Sequence, residues 1–287
     1  MSLVITGATG HLGRLVIEAL LRRGLPADQI IATGRAVDRL DDLAARGVVV
    51  RRADYDDRAS LDAALTGADR VLLVSGPAVG SRVAQHRNVI DAARDAGVGL
   101  LAYTSITNAD RGGFIIAAEH KATEEAIVAS GLPHLFLRNG WYLENYTDQL
   151  PTYLEHGVAG SAGEGRVSPA TRADLAEATA AALLLEEPAD VYELGGPSFT
   201  LPELAATVSE LFGTEVAYTD LPAADFTQVL VGAGVPEAFA GVLADADLAL
   251  SRGELYADPA DLEQLLGRPA TTLADALGHE ARIRAAR

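Results

Sequence analysis

The most constraining feature of this chain is the run Thr6-Gly7-Ala8-Thr9-Gly10-His11-Leu12-Gly13, set between an apolar segment, Leu3–Thr6, and a helically spaced one, Leu12–Leu21. Its Gly-x-x-Gly-x-x-Gly spacing assigns each glycine a task. Gly7 permits a tight turn, Gly10 lets the backbone approach a pyrophosphate, and Gly13 allows close packing of helix on strand. Amide groups at the start of the helix then point at the phosphates, aided by the helix dipole. A glycine triplet alone is common in proteins. One that closes a strand, opens a helix and heads a series of strand–helix units is far more specific. Gly7, Ala8, Thr9, Gly10, His11 and Leu12 are therefore candidate cofactor-binding residues.

That series continues through the first half. Short apolar runs recur at Ile30–Thr33, Val48–Val50, Val71–Ser75, Leu100–Thr104 and His134–Leu137. Helical spacing fills the gaps at Arg58–Leu65, His86–Ala96 and Ala117–Ser130, and Gly24 and Gly97 stand where left-handed C-terminal caps are expected. Continuous apolar strands, each followed by a helix, predict a parallel sheet covered on both faces. The expected fold is α/β, a Rossmann-type doubly wound parallel sheet with a smaller, mostly helical C-terminal lobe. Residues 1–155 plus 172–197 make the nucleotide-binding domain in this reading, and 156–171 plus 198–287 the substrate lobe. Gly157–Pro169 reads as a loop with at most short strands, Arg172–Leu185 as a helix, and Val191–Leu194 as one more strand of the main sheet. Thr200-Leu-Pro-Glu203 has the form of a capping box opening a helix to Phe212, and Asp258-Pro259 that of another N-cap with a first-turn proline.

The second strand bears on cofactor choice. An NAD site usually carries an acidic side chain about 20 residues beyond the loop, whereas this sequence has Thr33-Gly34-Arg35. A guanidinium there pairs with the 2′-phosphate of NADP(H), and no carboxylate at the strand end repels it. Asp54, after the third strand, is suited either to the adenine edge or to an ordinary helix N-cap.

Short-chain dehydrogenases commonly place Ser or Thr after the fifth strand and Tyr-x-x-x-Lys on the next helix. Here Tyr103-Thr104-Ser105 closes the strand and Lys121 lies on the helix, but the residue four before it is Ala117. The phenol is missing. Reducing a ketone builds an alkoxide that needs a proton donor at hand. Reducing a quinone spreads the charge into a ring, and water can protonate the product later. The gap therefore favours an electron-poor acceptor, or cofactor binding without turnover. His120 stands four residues before Glu124, so a His–carboxylate pair on one helical face is expected; the other reading is a surface histidine. Lys121, His120 and Tyr142 are the candidate catalytic residues, with Lys121 also placed at the cofactor ribose.

Forty acidic against 23 basic side chains give a formal charge of −17, which disfavours nucleic acid and anionic membranes as partners. The absence of cysteine excludes disulfides and thiolate chemistry. The six histidines show no metal-ligand spacing, so no metal is expected. The opening residues lack a charged n-region and a long apolar stretch, and a cytoplasmic protein is the expectation. A homo-oligomer stays open.

Longer motifs carry a resemblance. Gln85-His86-Arg87-Asn88-Val89-Ile90, Ala102-Tyr103-Thr104-Ser105, Glu119-His120, Leu137-Arg138-Asn139-Gly140-Trp141-Tyr142, Glu144-Asn145-Tyr146, Leu154–Val158 and Ala170–Asp174 resemble the NmrA-like atypical short-chain dehydrogenases along nearly the whole chain. Within that family the likeness is to bacterial NADPH-dependent quinone oxidoreductases, related to triphenylmethane reductase. The resemblance implies cofactor contacts from Ser75, Gly76 and Pro77 on the ribose and phosphate side. It also implies contacts from Asn139, Gly140, Trp141, Tyr142, Leu143 and Glu144 beside the nicotinamide and acceptor. Trp141, Tyr142 and Tyr146 offer flat apolar surface for an aromatic acceptor. Gly76-Pro77 and Arg111-Gly112-Gly113-Phe114 depart from the family pattern, in loops that face the acceptor. The implied activity is hydride transfer from NADPH to a quinone or similar small aromatic. A non-enzymatic NADP-binding redox sensor is the alternative, and a sugar-nucleotide epimerase is disfavoured by Ala117.

Overall fold

The six apolar runs of the first half become neighbouring parallel strands. In the computed structural model, which describes residues 1–278, these are β1 (Leu3–Ile5), β2 (Ile30–Gly34), β3 (Val49–Arg52), β4 (Arg70–Leu73), β5 (Leu100–Ile106) and β6 (His134–Asn139). Two short strands, β7 (Val158–Gly160) and β8 (Arg166–Val167), leave the sheet, and β9 (Val191–Leu194) rejoins it beside β6. The strand order is β3-β2-β1-β4-β5-β6-β9, every pairing parallel. Order reverses between β1 and β4, and the crevice at the carboxyl ends of those strands is where an open α/β sheet binds its ligand. Leu3, Val4 and Ile5 expose no surface, which explains why the strand is apolar without alternation.

Helices cover both faces. On one, α1 (His11–Arg22) packs beside α8 (Arg172–Leu184), and α12 (Ala260–Leu266) packs on α8. Leu12, Val16, Ile17 and Leu20 of α1 meet Leu175, Ala178 and Leu183 of α8 in one buried cluster. The short α2 (Asp41–Ala44) and its Leu43 close the end of this layer. On the other face lie α3 (Arg58–Leu65), α4 (Arg82–Asp95) and α5 (Ile115–Ser130), with Leu61, Val89, Ile90 and Ile127 against Val71, Leu101 and Tyr103. A third cluster gathers Phe114, Leu143, Leu150, Phe199, Leu204 and Leu250. It joins α6 (Glu144–Thr147), α7 (Leu150–His156), α9 (Leu201–Phe212) and α11 (Glu237–Ser251) to β5, and α10 (Ala223–Gly232) packs on α11. There β8 pairs with β10 (Phe199–Thr200) and β7 with β11 (Tyr218–Asp220). Residues 273–278 are helical, and the expected lobe's residues 279–287 lie outside the described residues.

Several local expectations shift. Helix α4 starts at Arg82, four residues before the expected His86, because its first turn is polar and its Arg82 is buried on polar partners. Strand β5 runs two residues past Thr104, carrying Ser105 into a buried hydrogen bond with Glu124. Asp54 is not the cap of α3. Asp57 is, accepting from Ser60 N at 3.2 Å, while Asp54 accepts from Asp56 N in a turn of its own. The Thr200–Glu203 capping box forms in both directions. Asp258 accepts the Ala260 N–H at 2.9 Å, so α12 begins one residue after its proline.

Gly140 marks a close crossing between the end of β6 and the segment after β8. A Cβ there would sit 2.3 Å from Ser168 O and 3.1 Å from Leu194 O. Gly140→Ala should therefore lower stability by about 1–3 kcal/mol through overpacking, read as a lower urea midpoint. An unchanged midpoint would contradict this close approach.

Candidate active site

The glycine loop is held from below and open above. Gly7 takes a left-handed φ of +60°, Ala8 N donates to Thr33 O at 2.9 Å, and Gly10 N donates to Gly7 O at 2.9 Å. A Cβ on Gly13 would lie 2.6 Å from Gly7 O, so only glycine lets α1 start this close to β1. Helix α1 begins after Gly10 with no side-chain cap and no acidic residue in its first turn. Its first amides thus lack the partners that nearly all helix starts recruit. That is a fitting cradle for a phosphate group.

At the end of β2, a Cβ on Gly34 would strike Thr9 Cγ2 at 2.7 Å, which seats the loop on the strand. Arg35 follows, exposed at the rim. Arg14 and Arg52 nearby in sequence and sheet pair with Asp42 and Asp57, but Arg35 enters no ion pair among the described residues.

The turn after β4 forms the adjoining wall. Ser75 N donates to Thr104 Oγ1 at 2.8 Å, Gly76 N to His86 Nε2 at 3.1 Å, and Arg82 Nε to Gly76 O at 2.7 Å. Beneath it Tyr55 is hydrogen-bonded to Thr6 Oγ1 and donates to Val74 O at 2.8 Å. Burial pushes the Tyr55 phenol above its usual range, so it keeps its proton. Sequence reasoning passed over Tyr55, although an aromatic directly after Asp54 at the third strand's end was the available signal.

His120 and Lys121, adjacent in sequence, face different surroundings. His120 is buried, and its Nδ1 lies 2.7 Å from the Tyr103 hydroxyl. The expected His120–Glu124 pair does not form. Glu124 instead accepts from Ser105 Oγ at 2.6 Å and from Arg138 at 2.7 and 3.0 Å. The surface-histidine reading fails as well. Burial, then the charge of Arg82 and the neighbouring His86, holds His120 well below the usual imidazole range, so it is neutral. Burial also raises the Tyr103 phenol. A phenolic proton donated to Nδ1 would leave the imidazole proton on Nε2. Lys121 is exposed, with Nζ 3.4 Å from Asp110 O, in an outer groove with Glu125, Val128 and Phe136. The structure does not gather it with Ser75–Pro77. Ala117 is buried, packed with Phe114.

Arg138 is the residue that reorganises this region. A cation inside an otherwise apolar strand demands acids, and it finds Glu124, Glu193 at 3.0 Å and Asp110 at 2.9 Å. Glu193 in turn accepts from Thr107 Oγ1 and Asn108 N, which pins the loop after β5.

The segment after β6 is partly scaffold. Asn139 is buried, its Oδ1 without a hydrogen-bond partner. Trp141 O accepts from Ala170 N, and Leu143 N donates to Ala170 O. Tyr142 is half-buried, with the Arg172 guanidinium 4.7 Å above its ring. Glu144 accepts the Arg172 N–H at 2.9 Å, so this carboxylate serves the start of α8. Trp141, Tyr146 and Leu143 join the third cluster, where Tyr146 meets Phe199 edge-on at 5.2 Å. A cleft of about 570 Å³ between Asn108, Arg111, Glu193 and residues 252–261 shares no lining residue with the glycine loop or the Ser75–Pro77 turn. It is separate from the crevice above β1 and β4. Among the described residues no group of three metal-ligating side chains converges, and no helix is long and apolar enough to cross a membrane.

A glycine-cradled, uncapped helix start at the switch point of a seven-stranded parallel sheet defines a Rossmann-type dinucleotide-binding protein. The chain belongs to the NAD(P)H-binding family, whose sequence pattern matches residues 7–186. It is 47% identical to quinone oxidoreductase 2 of Escherichia coli, over 96% of this chain and 98% of that protein. The structure of that E. coli NADPH-dependent quinone oxidoreductase complexed with NADPH superposes with a TM-score of 0.94 at 45% identity, covering 97% of this chain and 99% of the other. Triphenylmethane reductase from Citrobacter, complexed with NADP(H), gives a TM-score of 0.92 at 39% identity, covering 97% and 99%. NADP(H) is accordingly the cofactor of this fold, and the resemblance read from the motifs holds.

The buried imidazoles make stability depend on pH. Burial, helped by Arg82, takes His86 down to about 3, and His120 is also well below its usual range. Both bind protons more readily unfolded than folded, so their contribution is complete above pH 6.5 and is lost as pH falls from there. Each costs about 1.4 kcal/mol per pH unit in that window. Burial raises Asp247 to about 6, which offsets one of the two between pH 6 and 4. Urea unfolding should show a net loss of about 1.4 kcal/mol per unit between pH 6 and 5. Equal stability at the two pH values would contradict neutral, buried histidines.

Proposed function

We propose that this protein transfers hydride from NADPH to a quinone or similar electron-poor aromatic acceptor. The observation that carries this reading is the 47% identity, over essentially both full lengths, with E. coli quinone oxidoreductase 2. Bound NADPH supplies the hydride; the protein supplies position and electrostatics. The amides of His11 and Leu12 at the start of α1, with Gly7–Gly10 beneath, receive the pyrophosphate. Arg35, unpaired among the described residues, takes the 2′-phosphate through charge-assisted hydrogen bonds. Ser75, Gly76 and Pro77 line the ribose, and Asn139 presents its carboxamide at the adjoining end of β6. Gly140 and Leu143 hold that segment in place, as do Glu144 at the start of α8 and Tyr142 under Arg172.

Where short-chain dehydrogenases carry a tyrosine, Ala117 offers none. His120 fills the role in this reading, its neutral Nε2–H donating to the oxygen that gains charge, with Tyr103 holding the opposite nitrogen. A neutral donor suffices because a reduced quinone delocalises its charge and is a weak base beside an alkoxide. Lys121 lies outside this group, so its part is electrostatic at most. Trp141 and Tyr146 furnish apolar surface on the acceptor side, and residues 156–171 and 198–278 form the lobe that closes over it.

Three outcomes follow. NADPH should be oxidised steadily by simple quinones, and tight NADPH binding without turnover across a quinone panel would sink the reading in favour of a sensor. Because His120 stays neutral, kcat with quinone should be flat between pH 5.5 and 9; an ionisation near 6.5 would remove His120 from its role. Arg35→Ala should weaken NADPH by about tenfold or more, as the loss of a charged hydrogen bond implies, and leave NADH nearly unchanged. Equal losses would show that Arg35 does not meet the 2′-phosphate.

A further inference from the structure

The Gln85-His86-Arg87-Asn88 segment has so far no part in the proposed chemistry, yet it sits on the helix that backs the Ser75–Pro77 turn. His86 is fully buried. Its Nε2 is 3.1 Å from Gly76 N, and its Nδ1 is 3.1 Å from Thr123 Oγ1 on α5. The Thr123 hydroxyl already donates to Glu119 O at 2.9 Å, so toward His86 it can only accept. The imidazole proton is therefore on Nδ1, and Nε2 is an acceptor for Gly76. The rings of Tyr103 and Tyr55 lie edge-on to the imidazole at 5.4 and 6.1 Å, which leaves it little room to turn.

The rest of the turn is held the same way. Val74 N donates to Thr6 Oγ1, Ser75 N to Thr104 Oγ1, and Gly76 N to His86; Pro77 has no N–H. The Val74 and Gly76 carbonyls are taken by Tyr55 and by Arg82. Arg82 is itself in a buried ion pair with Glu119, 3.1 Å away, and Glu119 accepts the Gly80 N–H at 2.6 Å. Every backbone donor of the turn thus points into the protein. The polar groups left are the Ser75 carbonyl and hydroxyl. A phosphate needs donors; ribose hydroxyls, which donate, need acceptors.

We infer that His86 is a positioning residue that makes the Ser75–Pro77 turn a seat for the nicotinamide-side ribose and not for a phosphate, by turning the Gly76 amide inward and tying it through Thr123 to α5. This rests on the NADPH reading above and narrows the ribose-and-phosphate role expected of the turn to the ribose alone. In His86→Leu the Gly76 N–H loses its acceptor inside the protein and the turn is free to rotate.

The test compares NADPH with adenosine 2′,5′-bisphosphate, which keeps the Arg35 end of the cofactor and lacks the nicotinamide ribose. Calorimetry should show His86→Leu weakening NADPH about 5- to 30-fold and adenosine 2′,5′-bisphosphate less than twofold. His86→Gln, whose side-chain carbonyl can accept from Gly76, should regain most of the loss. If His86→Leu does not fold, Thr123→Val carries the test, with a two- to fivefold loss confined to NADPH. Unchanged NADPH affinity overturns the inference. So does an equal loss for both ligands, the sign of a merely structural role. Failure of the wild-type protein to bind NADPH would instead undo the functional reading beneath it.

Discussion

The structure depends on the contact between the first strand and the first helix, made so short that only glycine fits at residue 13. Because α1 begins on top of Gly7, its opening amides have no side-chain cap and face outward over the sheet's switch point. Most proteins satisfy such groups internally, since each costs free energy when left alone. In the proposed binding mode the uncapped end is what receives the cofactor. The loop, the strand end at Arg35 and the turn after β4 all converge on it because parallel strands share one carboxyl edge.

A second constraint is the placement of charge within the buried sheet. Arg138 in β6 draws Glu124, Glu193 and Asp110 to itself, and with them α5, β9 and the loop after β5. Replacing such a network by apolar side chains is often neutral for stability, whereas removing one member leaves a buried charge unpaired. Its consequence for the site is indirect. With Glu124 committed to Arg138 and Ser105, the neutral His120 is left to the Tyr103 hydroxyl.

Much of this was legible in the sequence. The glycine loop, the six strands of the first half and β9, the Thr200 capping box and the cofactor follow from spacing, because strand, turn and cap chemistry is local. What escaped was long-range. The four-residue spacing of His120 and Glu124 suggested a pair, but an arginine fourteen residues further on competes for the carboxylate and wins with two hydrogen bonds. Asp54 and Asp57 are equally good caps in sequence, and only the path of the chain into α3 selects the second. Tyr55, Tyr103 and Thr123 support the site from beneath. Buried polar residues of this kind show their partners only once strands and helices are set side by side. The clearest hint in the sequence was Arg138 itself, a charge directly after the apolar run of the sixth strand.

In the proposed binding mode the uncapped amides at the start of α1 take the cofactor's pyrophosphate. Hydrogen–deuterium exchange of the intact protein, with and without saturating NADPH, tests it most directly. The prediction is marked protection of the Gly7–Gly13 segment on binding. Tight NADPH binding that leaves exchange in that segment unchanged would contradict it.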